Sequence, residues 1–119
     1  MLERNTVTDY IEAGLKASSL RQSLIANNIA NLGTKGYRRK DIDFEKVLLE
    51  AMESGRIDMA QMEAHIFEPQ DTPVNSDGND VSLEMEIGEM IDNTSMYKTY
   101  LRLMSKMYRQ MELAMSTGD

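Results

Sequence analysis

Cysteine and tryptophan are absent from this chain of 119 residues, and it holds only two phenylalanines and two prolines. Without cysteine there is no disulfide and no thiolate metal site. With so few large aromatics, a big globular core lacks its usual anchors. Histidine occurs once, at His65. The Glu-x-x-His pairs of a di-metal helical bundle therefore do not exist here, and nothing around His65 supports a His–nucleophile pair, so it reads as an exposed loop residue. No apolar run is long enough to span a bilayer. The opening MLERNTVTDY carries charges where a signal peptide has its apolar stretch, so no cleaved signal peptide is expected. On these grounds the chain reads as cytosolic, unless it leaves by a route that needs no cleaved signal. A net charge of -7 argues against nucleic acid as the main partner. No enzyme activity, cofactor, metal or small-molecule substrate is expected.

Methionine, by contrast, occurs eleven times. It is an adaptable gap-filler, common where surfaces pack against partners. The chain has one domain's length and reads as all-α, with long terminal helices pairing as a coiled-coil hairpin around an irregular middle. Three segments are expected: 1–39 with the first helix and its loop, 40–80 as a variable middle holding a short helix, and 81–119 with the last helix.

The first helix is expected from Val7 to Leu32, with Thr6 as N-cap and Gly33 as a left-handed stop. Within it Ile11, Leu15, Ser18, Gln22, Ile25, Ile29 and Leu32 step alternately by four and three, a heptad seam with two polar interruptions. Ala13, Ala17, Leu20 and Leu24 form a second stripe on the other side. A helix apolar on two sides needs neighbours on two sides, so the outer stripe is expected to await other subunits. The last helix is expected to start after Ser82 as cap, with Glu84 and Glu86 in the first turn, where the helix dipole favours negative charge. That placement also makes the two carboxylates poor acid–base candidates. Its seam is Leu83, Ile87, Met90, Thr94, Tyr97, Leu101, Met104, Tyr108, Met111 and Met115, with only Thr94 polar.

In the middle, Asp43 should cap a short helix with the face Phe44, Val47, Leu48, Ala51 and Met52, ended by Gly55. An extended piece is expected at Ile66 and Phe67, and a turn at Asp77 and Gly78. Charge is segregated. From Asp41 to Asp92 fifteen acidic residues face only Lys46 and Arg56, whereas the last helix carries Lys98, Arg102, Lys106 and Arg109, and the first loop Lys35, Arg38, Arg39 and Lys40. Each basic run is either a solvated face or a match for acidic segments of neighbouring subunits.

The most specific stretch is NNIANLGTKGYRR, residues 27–39. Three asparagines in five residues are poor helix formers on an otherwise apolar helix, and their amides suit docking to backbone or a neighbouring helix. Gly33 and Gly36 are expected to permit a tight turn, and Tyr37 offers a flat amphipathic surface. Asn27, Asn28, Ile29, Ala30, Asn31, Thr34, Gly36, Tyr37 and Arg38 match the signature NNIANxxTxGY and the base that follows it. This resembles the flagellar axial proteins: rod, hook and hook-associated subunits. Leu32, Gly33 and Lys35 depart from that family's pattern, and Lys35 in place of proline loosens the loop. DGNDVSLEMEIGEM, residues 77–90, is similar to the GNxVxLExEM lead-in of the proximal rod subunits at Gly78, Asn79, Val81, Leu83, Glu84 and Glu86, with Asn93 and Tyr97 further on. Ile87 stands where methionine is usual. Phe44 and Leu48 resemble the F-x-x-x-apolar element of exported subunits.

The resemblance implies a structural subunit of the proximal rod. It implies exit through the flagellar type III apparatus and its export gate, which suits the missing signal. It implies polymerisation through the terminal helices in the periplasmic rod, which transmits torque for motility. The partners implied are copies of this chain, other axial rod proteins, and the protein joining rod to membrane ring. The alternatives are another short rod subunit, or a cytosolic helical-hairpin adaptor, which would explain the seams but not NNIAN.

Overall fold

The computed structural model describes residues 2–117; positions 1, 118 and 119 of the terminal segments lie outside the described residues. Its order is α1 (Leu2–Ala30), β1 (Asp41–Ile42), α2 (Phe44–Ser54), α3 (Met59–Glu63), β2 (Ile66–Phe67) and α4 (Leu83–Thr117). The molecule is elongated, 68 × 25 × 17 Å. Its long axis is set by α4, whose 35 residues span about 50 Å at 1.5 Å each.

α1 and α4 pair antiparallel, the hairpin expected. Contacts run from Asn28–Glu86 at one end through Ser18–Asn93 to Thr8–Met107 at the other. The approach is close because small residues line it. Gly14 leaves room for the Tyr100 ring; a Cβ there would collide with the ring carbons. Asn93 Nδ2 donates to the Ser18 carbonyl at 2.7 Å and to Gln22 Oε1 at 2.8 Å, crossing from α4 to α1.

This contact does not follow the expected α4 seam. Of the seam only Met104 is buried in it, beside Asn93 and the half-buried Tyr100, whereas Leu83, Ile87, Tyr97, Leu101, Tyr108 and Met115 are exposed. Met90, Thr94 and Met111 are half-buried at the margin. At 3.6 residues per turn the seam is turned by about 60° from the buried line. The physical reason is that Gly14, Ala17 and Ser18 accept a polar and small-residue contact, which leaves the larger apolar side chains outside. On α1 the seam holds better: Ile11 and Ile25 are buried and Leu15 and Ile29 half-buried.

The second α1 stripe is covered by the chain itself. Ala13, Ala17 and Leu24 join Ile42, Val47, Ala51, Ile57 and Met62 in the core, with Leu20, Phe44, Leu48 and Ile66 packed against it. It therefore does not await another subunit; the middle segment folds back over it. α2 matches its expected bounds, with Asp43 accepting from Lys46 N and Gly55 N donating to the Ala51 carbonyl. Met52 lies outside the buried face, because Val47 and Ala51 define a line that it misses. Asp58 and Gln61 form a reciprocal capping box on α3. β1 and β2 pair antiparallel, Asp41 with Phe67 and Ile42 with Ile66.

Three smaller expectations are corrected. α1 begins at Leu2, so Thr6 lies within the helix, and it ends at Ala30 rather than Leu32. Gly33 does not take a left-handed conformation; Gly36 does, at φ 76°. The chain leaves α1 through successive turns instead, with Leu32 N bonding the Ile29 carbonyl and Thr34 N the Asn31 carbonyl. His65 is half-buried and bonds Glu50 through Nε2, tying the α3–β2 turn to α2.

Candidate functional site: the junction of the two motifs

The two stretches singled out in the sequence, some 40 residues apart, meet at the end of the hairpin where α1 stops and α4 begins. Asn28 is fully buried at the centre. Its Nδ2 donates to the Lys40 carbonyl at 3.0 Å and to Glu86 Oε1 at 2.9 Å. Its Oδ1 accepts from Tyr37 Oη and from Lys40 N, both at 3.0 Å. Both donors and both acceptor sites are thereby used, which is what burial of an amide requires. Asn27 and Asn31 play a lesser part: Asn31 Nδ2 donates back to the Asn27 carbonyl at 2.8 Å, and Thr34 Oγ1 donates to Asn31 Oδ1.

Glu86 and Arg39 are buried against each other, Nε to Oε2 at 2.6 Å. Arg39 N donates to Asp80 Oδ1 at 2.6 Å, and Arg38 reaches Asp80 Oδ2 at 3.4 Å. Burial opposes the Arg39 charge, but the Glu86 hydrogen bond and charge, helped by Asp71 and Asp41, more than offset it and hold the guanidinium above its ordinary value. The Tyr37 phenol is pushed up by burial, then by the charges of Glu86 and Asp80, against a smaller pull from Arg39. A buried pair of this kind lasts only if its remaining polar atoms are satisfied, and Asn28 supplies that for Glu86.

Asn79 closes the end of α1. Its Nδ2 lies 2.9, 3.2 and 2.8 Å from the carbonyls of Asn31, Leu32 and Thr34. Its Oδ1 accepts from Val81 N at 2.8 Å, starting the approach to α4. Gly36 and Gly78 face each other, both at positive φ; Gly36 N donates to the Asp77 carbonyl at 2.7 Å, and a Cβ on Gly78 would meet Gly36 Cα at 3.4 Å. Ser82 Oγ accepts from Met85 N at 3.3 Å and caps α4.

The junction brings together Asn28, Tyr37, Gly36, Gly78, Asn79 and Glu86. Ala30 and Glu84 are exposed and Val81 half-buried at its edge. Sequence reading missed Arg39 and Asp80, which it left in charge runs, and took Glu86 for a dipole partner although it is an ion-pair partner. The available signal was that Arg39 closes the NNIANLGTKGYRR stretch and Asp80 lies in the second motif stretch. The chemistry is structural: Glu86 and Asp80 are committed to Arg39, Arg38 and backbone donors, so neither is free to take a substrate proton. Among the described residues no group of His, Asp and Glu side chains converges as metal ligands.

Phe44 sits against the hairpin. Its ring is 6.1 Å from that of Tyr100, and the Arg21 guanidinium lies 5.0 Å above it. Leu48 is half-buried beside it.

Residues 12–38 match the family model described as flagella basal body rod protein. Over most of its length the chain is similar to proteins named flagellar basal body rod protein FlgB. It is 30% identical to that of Aeromonas hydrophila over 103 residues, covering 76% of this chain and 78% of the relative. It is 25% identical to that of Bacillus subtilis over 118 residues, covering 91% and 92%. With that of Salmonella typhimurium the alignment covers both chains in full at 26% identity. None of these names is that of an enzyme. With the family signature built into a buried junction that draws on both ends of the chain, this protein belongs to the FlgB family of flagellar basal body rod proteins.

Proposed function

We propose that the chain is a structural subunit of the proximal rod, and that it polymerises with copies of itself and other axial rod proteins through α1 and α4. The observation that carries this is the exposed apolar seam of α4. Leu83, Ile87, Tyr97, Leu101 and Tyr108 lie on one side of a long helix and outside the monomer's own core. A stripe of that length is costly to leave wet and fits burial against neighbouring helices. In this reading the chain leaves through the flagellar type III gate, unfolded. It stands in the periplasm, adjoins the protein that links rod to membrane ring, and passes torque toward the hook.

Leu101→Asp tests the assembly step. An unpartnered carboxylate in a buried seam costs several kcal/mol, so the variant should be missing from basal bodies and the cells should not swim. Thr99→Ala, exposed on another side of α4, should swim normally. Equal motility of the two variants would remove the seam from the interface.

Export is tested separately by Phe44→Ala in cells that lack the next rod component. Retention in the cytoplasm supports a role of Phe44 and Leu48 at the gate. Release in normal amounts leaves only the packing against Tyr100 and Arg21.

A further inference from the structure

The described cations fall into three groups: most are tied into ion pairs within the chain, Lys35 and Lys40 of the first loop are exposed outside any ion pair with Lys40 over the Tyr37 ring, and the rest lie on α4. Lys16, Arg21, Arg38, Arg39, Lys46 and Arg56 each lie in an ion pair within the chain. On α4, Lys98, Arg102, Lys106 and Arg109 are all exposed, and no ion pair within the described residues includes them. Their spacing of four, four and three puts them along one helix face. An open groove runs beside them, floored by Leu101 and Ser105 and rimmed by Arg102, Lys106 and Arg109.

A face of matching character lies on α2. Glu45, Leu49, Met52 and Glu53 follow helical spacing on the side turned away from α1. Leu49 and Met52 are about half exposed. Glu45 and Glu53 are exposed without an ion-pair partner among the described residues. The one cation on the flank, Lys46, is held to Asp43. Among the described residues no ion pair joins the two faces within one chain.

We infer that the basic face of α4 docks on the outer face of α2 in a second copy of this chain, Leu101 against Leu49 and Met52, with Arg102 and Lys106 answering Glu45 and Glu53. Two arguments favour a second copy over another partner. Each face supplies the charge that the other lacks, which steers and orients an encounter, and each carries exposed apolar side chains for the contact to bury. The contact is also heterologous: each copy offers one donor face and one acceptor face. Such contacts do not cancel in a closed pair; they repeat into a helical array, the form a rod needs. The inference rests on the assembly reading above and assigns a covering surface to the seam at Leu101, together with the basic face beside it.

The test is a photo-crosslinking amino acid in place of Ser105, at the centre of the basic face, with basal bodies isolated after illumination. The expected product has twice the subunit mass, and its linked peptide falls within residues 44–54. A link to another axial protein, a link elsewhere in this chain, or no link with the chain present in the basal body overturns the inference and leaves the rod assignment standing. Absence of the chain from basal bodies removes both.

A second arm uses charge. Arg102→Glu with Lys106→Glu should lower incorporation at least about tenfold, since like charges then face each other. Adding Glu45→Lys and Glu53→Lys to the same chain should restore it, because every copy then carries both reversed faces. If the fourfold variant incorporates no better than the double one, the pairing is wrong.

Discussion

The two ends of the helix hairpin are built on opposite plans. At the junction, Asn28, Arg39, Asp80 and Glu86 are buried and fully bonded to one another. Toward the far end, beyond the Thr8–Met107 contact, Tyr108 and Met115 of α4 are exposed. One end buries charge and the other exposes hydrocarbon, the reverse of what a freestanding protein needs. The junction specifies how one chain folds, whereas the exposed side chains of the tip add little to its core.

The largest break in this contrast should come from Glu86→Ala. It strands the Arg39 guanidinium in a buried site, and removing one partner of such a pair costs about 3–5 kcal/mol. Urea unfolding should show the midpoint collapsing, while Leu101→Ala in the seam stays within about 0.5 kcal/mol of the parent. A smaller loss should follow Gly14→Ala. Alanine favours a helix by about 1 kcal/mol over glycine, but a methyl here collides with the Tyr100 ring, and overpacking costs about 1–3 kcal/mol. Gly14→Ala combined with Tyr100→Leu should recover stability, since the ring is then gone. Asn79→Ala should cost about 1–2 kcal/mol by uncapping the turn after α1. Hydrogen exchange on that variant should quicken at the end of α1 and remain unchanged near Met104.

The smallest effect is alkaline. Tyr37 has its pKa raised in the folded protein by burial and by Glu86 and Asp80. The folded state therefore holds the phenol proton more tightly than the unfolded chain does. That contribution is present below the ordinary value of 10.0 and is lost as pH rises through the raised one. Unfolding midpoints between about pH 8 and pH 11 should fall for the parent and fall less for Tyr37→Phe.

The helices and their pairing were legible because periodicity over long apolar runs reports a helix whatever it packs against. The same periodicity could not say which side meets α1. The α4 seam is the more hydrophobic side, yet Gly14 and Tyr100 draw the contact to the less hydrophobic one. A lone glycine inside a helical pattern was the signal for that close approach. The middle was harder. The Asp58–Gln61 spacing carries a capping-box signature, but α3 is short, and its place in the core depends on Ile57 and Met62 reaching the distant Ala13 stripe. The junction was half legible. Asparagines and glycines marked where it is, while the partnership of Arg39 with Glu86 spans 47 positions, which no local pattern encodes.

The Asn79 cap has a consequence for the order of folding. The carbonyls that close α1 wait for a side chain that follows them by 45 to 48 positions. A chain emerging N-terminus first, from a ribosome or from any pore, displays α1 with its end unsealed until the second motif is also out. Closing that loop carries an entropic cost that local turns do not. The slow step of folding should therefore be set by the arrival of residue 79 and the start of α4, so that a chain cut short before them holds its first helix only loosely. Completion of synthesis or passage becomes a condition for rigidity, and a truncated chain lacks a finished end to its first helix.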